Sequence, residues 1–230
     1  MSFEKVVLLS GGVDSATCLA IAVSECGADK VLALTADYGQ RHKVKETAAA
    51  IRVAEYYGVR QEMQLFPDVF AGCDCSLLES ESSREICHES YADQIAKNGK
   101  VDTYVPFRNG VMIAHAVAFA LRFGAGEVWY GAHRDDAAGN AYPDCTPWFH
   151  RLMTGAVEAG TGGACTLKAP FLHWSKADII GRGLAIGVPY ELTWSCYEGG
   201  DKPCGKCATC IDRGKAFDLN GVPDPAMKED

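Results

Sequence analysis

The sequence predicts an α/β fold, a doubly wound parallel sheet of five strands. Two observations carry this. Short apolar runs alternate with longer amphipathic segments, the order of βαβ units. The first such run leads through a glycine-rich turn straight into a helix, and polar residues gather beyond the ends of later runs, where an open parallel sheet binds its ligands. The chain has 230 residues and is 48% hydrophobic, enough for one domain with a substantial core. One domain over residues 1–230 is expected, without repeats or low-complexity segments.

The first unit begins with Val6-Val7-Leu8-Leu9, a buried strand, and continues into a helix from Ala16 to Val23. Between them lies Ser10-Gly11-Gly12-Val13-Asp14-Ser15. The glycines let backbone N–H groups converge on one point. The helix N-terminus adds free N–H groups and partial positive charge, and Ser10 and Ser15 add hydroxyls. Asp14 beside an anion calls for a Mg²⁺ ion or an amine between them. The string lacks the Lys of a Walker loop and the spacing of a dinucleotide fingerprint. It resembles the pyrophosphate loop of the N-type ATP pyrophosphatases. That resemblance implies ATP cleaved between its α- and β-phosphates and AMP passed to a substrate oxygen. It places nucleotide contacts at Leu8, Leu9, Ser10, Gly11, Gly12, Val13, Asp14, Ser15, Ala16, Thr17 and Cys18.

The second strand, Lys30 to Ala36, ends at Asp37-Tyr38-Gly39-Gln40-Arg41-His42. Tyr38, Gln40 and Arg41 are therefore further nucleotide candidates. Lys43 to Tyr57 is an amphipathic helix and Gln61 to Phe66 a third strand. Residues 67–103 carry little pattern and suit a flap over the site. Their Cys73, Cys75, Cys87 and His88 match no strong metal spacing. Arg108 and Asn109 stand before an apolar helix, Gly110 to Phe123. Asn109 suits its N-cap, and Arg108 suits a phosphate or carboxylate. A fourth strand, Glu127 to Ala132, opens a long polar loop through Cys145. The helix Pro147 to Glu158 and a fifth strand, Leu167 to Phe171, follow. Ser175 caps a helix to Ile186, with Asp178 as its capping-box acid.

Cys196, Cys204, Cys207 and Cys210 are spaced Cys-x7-Cys-x2-Cys-x2-Cys. Four such thiolates make a closed tetrahedral Zn²⁺ site, with no position left for a reacting water. Its expected job is to staple the C-terminal segment. Eleven cysteines and no export signal in Met-Ser-Phe-Glu-Lys place the chain in the cytoplasm, with reduced thiols. No apolar run reaches membrane-span length. A net charge of −8 gives no general attraction for nucleic acid.

The loop, Asp37 to His42, Val105 to Asn109, Tyr142-Pro143-Asp144-Cys145, Leu192 to Tyr197 and the four cysteines together resemble the 7-cyano-7-deazaguanine synthases of queuosine biosynthesis, from about residue 5 to about residue 218. The resemblance implies an adenine-nucleotide α-hydrolase-like fold with strand order 3-2-1-4-5. It implies that 7-carboxy-7-deazaguanine, ammonia and ATP give the nitrile through adenylated carboxylate and amide, in a homodimer. Ser10, Asp14, Ser15 and Arg108 are then the catalytic candidates, with Mg²⁺ on the departing pyrophosphate. Arg108, Asn109, His133, Tyr142 and Asp144 are the substrate candidates, Asp144 accepting the N–H and NH₂ of the base edge. Asn140-Ala141 and Thr146 depart from the family pattern, which has Gly before Tyr-Pro-Asp-Cys and Arg after it. His133, Arg134 and His150 are available to replace that Arg. Other readings are a related enzyme that passes the adenylated deazaguanine to another amine, a tRNA-modifying enzyme with the same loop, and a nucleotide sensor without catalysis.

Overall fold

The computed structural model describes residues 2–66, 68–79 and 84–227. Strand β1 (Lys5–Leu8) feeds helix α1 (Val13–Cys26), and β2 (Val31–Asp37) feeds α2 (Lys43–Tyr57). After β3 (Arg60–Leu65) come α3 (Tyr91–Asn98) and α4 (Arg108–Phe123). β4 (Glu127–Trp129), the single turn α5 (Arg134–Ala137), α6 (Pro147–Gly160), β5 (Thr166–Lys168), α7 (Lys176–Ala185) and α8 (Ala208–Leu219) complete the order. All strand pairs are parallel, in the order β3-β2-β1-β4-β5. Val6 lies opposite Leu32 on one side and Val128 on the other. These three residues are fully buried, because a parallel sheet is covered on both faces.

One core packs α1, α2, α7 and α8 against the sheet through Leu19, Val53, Ile179 and Phe217. The other packs α4 and α6 on the opposite face through Ile113, Val117, Val128 and Val157. The chain runs from β1 outward to β3, then returns to β4 on the other side of β1. The carboxyl ends of β1 and β4 therefore border the point where the winding reverses, the usual ligand crevice of such sheets.

Helix α2 matches its expected bounds because Gly58, at φ 66°, takes the left-handed stop. Ser175 and Asp178 form the expected capping box. Three local expectations are corrected. β4 stops at Trp129, where the chain leaves the ladder to line the crevice. β5 ends at Lys168, before Pro170. Asn109 is not the N-cap of α4: Phe107 is, at φ 58°, and Asn109 lies in the first turn. Cys73 and Cys75 pack with Tyr38, Phe70 and Leu77 in a small side core, while His88 meets Glu198 at 2.9 Å. Within the flap expected over 67–103, residues 67 and 80–83 lie outside the described residues.

Helices α1 and α7 meet very closely at Gly183. A Cβ there would stand 1.8 Å from Tyr190 Oη and 3.1 Å from Thr17 Oγ1. The same hydroxyls bond each other at 2.8 Å. Gly183→Ala should therefore destabilise the fold by about 1–3 kcal/mol, the usual cost of overpacking a tight core. Urea unfolding checks this, and unchanged stability would show that α7 can move off α1.

Candidate active site

A crevice opens at the carboxyl ends of β1, β2 and β4. Ser10, Gly12, Asp14 and Ser15 form its floor, with Tyr38, Arg108, Lys176 and Tyr197 among its walls. The floor is the turn expected from the sequence. Gly11 sits at φ 89°, and a Cβ there would lie 2.6 Å from Ala50 N and 2.8 Å from Glu46 O. Any side chain would push the turn away from α2. Ser10 Oγ and Ser15 Oγ are 3.0 Å apart, and Gly11 N–H donates to Ser15 Oγ at 3.2 Å. Gly12, the N-cap of α1, supplies no side-chain cap, so this fourteen-residue helix points its first N–H groups at the crevice without a side-chain cap.

Lys176 Nζ donates to Asp14 Oδ2 at 2.8 Å. Burial would raise the Asp14 carboxyl, but the Lys176 ammonium and then His133 outweigh it and hold it well below the usual carboxylate range. Burial would lower Lys176, and Asp14 and Asp136 reverse that, so the ammonium stays charged. His133 is almost fully buried, with Nε2 3.2 Å from Asp136 Oδ2 and 3.7 Å from Asp14 Oδ2. Its burial penalty is outweighed chiefly by Asp136, so its pKa rises. Among the described residues Asp14 Oδ1 has no hydrogen-bond partner. A buried carboxylate oxygen left open beside a helix N-terminus fits a cation that arrives with an anion.

The opposite wall depends on the left-handed Phe107. Its ring lies against Gly110, where a Cβ would come within 2.3 Å of it, and meets Phe149 edge-on at 5.9 Å. That bend turns Arg108 into the crevice, where Nη1 donates to Tyr38 Oη at 2.8 Å. Asn109 N–H donates to Asp144 Oδ2 at 2.8 Å. Asp144 thus neutralises the start of α4, and its carboxyl is raised by burial, with Arg108 opposing. Tyr91 and Tyr197 join their hydroxyls at 2.7 Å.

The side chains of Cys196, Cys204, Cys207 and Cys210 converge beside the crevice, with all ligand atoms within 4.8 Å of one another. A tetrahedral zinc with bonds of about 2.3 Å has sulfur–sulfur edges of about 3.8 Å, so the cluster fits such an ion with small adjustment. Backbone N–H groups of Cys204, Lys206 and Cys207 point at the sulfurs of Cys196 and Cys204 at 3.3–3.4 Å, as thiolates require. The segment leading to the cluster is anchored twice. Trp194 N–H donates to Gly11 O at 2.9 Å. The buried Arg213 donates to both Asp224 oxygens, at 2.7 and 2.9 Å, and to Thr193 Oγ1 at 2.9 Å.

The sequence profile of the family described as "Queuosine biosynthesis protein QueC" matches residues 4–221. The chain belongs to the QueC family. It is 40% identical over 228 residues to a 7-cyano-7-deazaguanine synthase of Archaeoglobus fulgidus, covering 99% of this chain and 91% of that one. Identity is 40% to the like-named protein of Methanoculleus marisnigri, covering 98% and 99%, and 38% to that of Koribacter versatilis, covering 96% and 92%.

In this QueC-family chain the crevice draws together Leu8, Leu9, Ser10, Gly12, Asp14, Ser15, Tyr38, Arg108 and Asn109 from the expected residues. Val13, Ala16, Thr17 and Cys18 face the core instead. Gln40 is consumed by its own turn, accepting from Tyr38 N–H and donating to Glu46. Arg41 reaches outward to Arg84 O. Tyr142 lies behind the wall, bonded to Thr103 Oγ1 at 2.7 Å. Neither His133, Arg134 nor His150 lines the crevice, and Asp144 lies buried directly behind Asn109 in its wall. Thr146 caps α6 by accepting from Phe149 N–H at 3.2 Å. Lys176 is the residue missed: it reads as the first residue after a cap, and only α7 packing on α1 aims it at Asp14.

The charge cluster has a pH signature. His133 is raised above its unfolded value, so its contribution is complete below the unfolded pKa of about 6.5 and is lost as pH climbs through the folded one. Relative to His133→Gln, the wild type should be more stable at pH 6 than at pH 9. Denaturant titrations at both values test this; a pH-independent difference would remove His133 from the charged network.

Proposed function

We propose that this chain makes 7-cyano-7-deazaguanine from 7-carboxy-7-deazaguanine, ammonia and ATP, as a single domain that includes the zinc-stapled segment, in the cytoplasm and as a homodimer. The observation that carries the reading is the uncapped N-terminus of α1 opening beside the Asp14–Lys176 pair, in a chain of the QueC family. The N–H groups of the turn, with Ser10 and Ser15, hold phosphate oxygens. Lys176 stands where negative charge grows as pyrophosphate leaves, and charge stabilisation there is the main lever on such a step. Mg²⁺, when bound with the nucleotide, neutralises phosphate charge, and Asp14 Oδ1 is the oxygen that would hold it.

The chemistry balances without a protein nucleophile. A carboxylate oxygen attacks the α-phosphorus and pyrophosphate departs. Ammonia attacks the acyl carbon, and AMP leaves with that oxygen. The amide oxygen attacks a second ATP in the same way, and loss of AMP and protons leaves the nitrile. Arg108 faces the carboxylate that must be held still for the first attack. Asp144 lies just behind the wall with Oδ2 on the Asn109 N–H, and in this reading its remaining lone pairs accept from the N–H and NH₂ of the base. The cysteine segment sets Tyr197 in the wall and takes no part in the reaction. A net charge of −8 gives no general attraction for tRNA, which favours a free base as the substrate.

Incubation with ATP, Mg²⁺, ammonium and 7-carboxy-7-deazaguanine should give the nitrile by mass spectrometry; a thiolated tRNA or a product coupled to another amine would favour a relative's reaction. Lys176→Met should lower kcat about 10²–10³-fold. Asp144→Asn should raise KM for the deazaguanine about tenfold or more, while KM for ATP stays near wild type. Equal shifts in both constants would make Asp144 a prop for α4 rather than a reader of the base.

A further inference from the structure

We propose that Glu46, with His42 beside it, receives the ammonium ion that supplies the nitrile nitrogen; this rests on the proposed nitrile synthesis. His42 is the N-cap of α2 and Glu46 lies in its first turn, and both line the crevice. Three carboxylates line it among the described residues, Asp14, Glu46 and Asp136. Asp14 is paired with Lys176 at 2.8 Å. Asp136 stands 3.2 Å from His133, whose pKa is raised. Glu46 differs. Among the described residues the one basic nitrogen within 4.0 Å of its carboxylate is His42 Nε2, at 3.7 Å. Burial lowers the His42 pKa, so the ring is neutral and brings Glu46 no charge. Gln40 Nε2 donates to Glu46 Oε2 at 2.6 Å, and Oε1 accepts no hydrogen bond among the described residues. The Glu46 side chain is only 14% exposed. A carboxylate so far out of water, with no cation against it, favours the arrival of one.

The chemistry of the site narrows that cation. Carboxydeazaguanine and ATP are anions, and ammonia is almost wholly protonated in neutral water, so ammonium is the one cationic reactant. Mg²⁺ takes oxygen ligands and travels with the phosphates. Ammonium carries only N–H donors and needs acceptors around it. Glu46 Oε1 is the first. His42 is 4% exposed, and its Nδ1 is buried without a hydrogen-bond partner. With Nε2 turned to the carboxylate, the neutral ring keeps its proton on that side and Nδ1 is left an acceptor. Tyr197, which lines the same crevice, sets its ring 5.3 Å from the His42 ring, and an aromatic face attracts a small cation. The place suits the reaction. Helix α2 presses on the glycine turn so closely that a Cβ on Gly11 would lie 2.8 Å from Glu46 O. A carboxylate adenylated over that turn thus has its nucleophile close by. Ammonium passes one proton to the Glu46 carboxylate, and the freed lone pair forms the C–N bond. The C–O bond to AMP breaks, AMP leaves with that electron pair, and the second nitrogen proton goes to its phosphate. Glu46 then returns its proton to water.

The second activation needs no ammonia, and this separates an ammonium site from a prop for the turn. The test is steady-state kinetics on the whole chain with ATP and Mg²⁺, using 7-carboxy-7-deazaguanine under varied ammonium chloride at fixed ionic strength, and the corresponding 7-carboxamide without ammonium. Glu46→Gln keeps an acceptor for Gln40 and removes the charge. It should lower kcat/KM for ammonium at least tenfold, as loss of a charged hydrogen bond does. Its KM for ATP, and its conversion of the amide to the nitrile, should stay within about twofold of wild type. Glu46→Asp should show a smaller loss of the same kind, and it decides the matter if Glu46→Gln fails to fold. An unchanged kcat/KM for ammonium overturns the proposal, and so do equal losses with acid and amide. A wild type that makes no nitrile from either compound overturns the nitrile synthesis, and this site with it.

Discussion

An ion pair that folding alone would not select sits at the centre of this molecule. Asp14 and Lys176 meet at 2.8 Å with only 23% and 10% of their side chains exposed. Removing two charges from water costs several kcal/mol per ion, and their attraction seldom repays it with profit. Apolar residues of similar size would stabilise the junction of α1 and α7 at least as well. The pair makes sense as a poised site. The helix N-terminus and the Lys176 ammonium present positive charge to one point, and Asp14 balances it.

The remaining structure serves to hold that point in register. Gly11 lets α2 press against the turn. Gly183 lets α7 approach α1 until Tyr190 touches Thr17, and this approach carries Lys176 to Asp14. From the C-terminal side, Arg213 ties Thr193 and Asp224 together, Trp194 bonds back to Gly11, and the cysteine cluster fixes the next residue, Tyr197, in the wall. A closed four-sulfur site has nothing to offer a reacting atom. Its place in the chain explains it instead: it sits where a polar, glycine-rich segment with little core of its own must line an active crevice.

Much of this was legible in the residues. The strand, the glycine turn and the helix were readable because each is a local rule, and α2 because a left-handed glycine ends it. The cysteines were readable because ligand spacing is a sequence property. Two features escaped. Phe107 adopts a conformation that its type rarely takes, held by its packing on Gly110 and Phe149 and by its N–H donating to Tyr104 Oη at 3.0 Å. Lys176 looks like any solvated lysine after a cap, since its partner is 162 residues away in sequence. Asn109 was misread for a related reason: its N-cap chemistry is real, but the buried carboxylate of Asp144 already satisfies that helix end. Helices α3 and α8 escaped too: α3 is only eight residues long, and α8 starts within the cysteine cluster, whose spacing reads as a metal-binding loop.

In the proposed reaction the crevice joins a carboxylate oxygen to the α-phosphorus of ATP. The most direct measurement supplies 7-carboxy-7-deazaguanine labelled with ¹⁸O in its carboxylate and examines the nucleotide released. The expected result is AMP carrying ¹⁸O and pyrophosphate without it. Unlabelled AMP, or ADP in place of AMP, would contradict it.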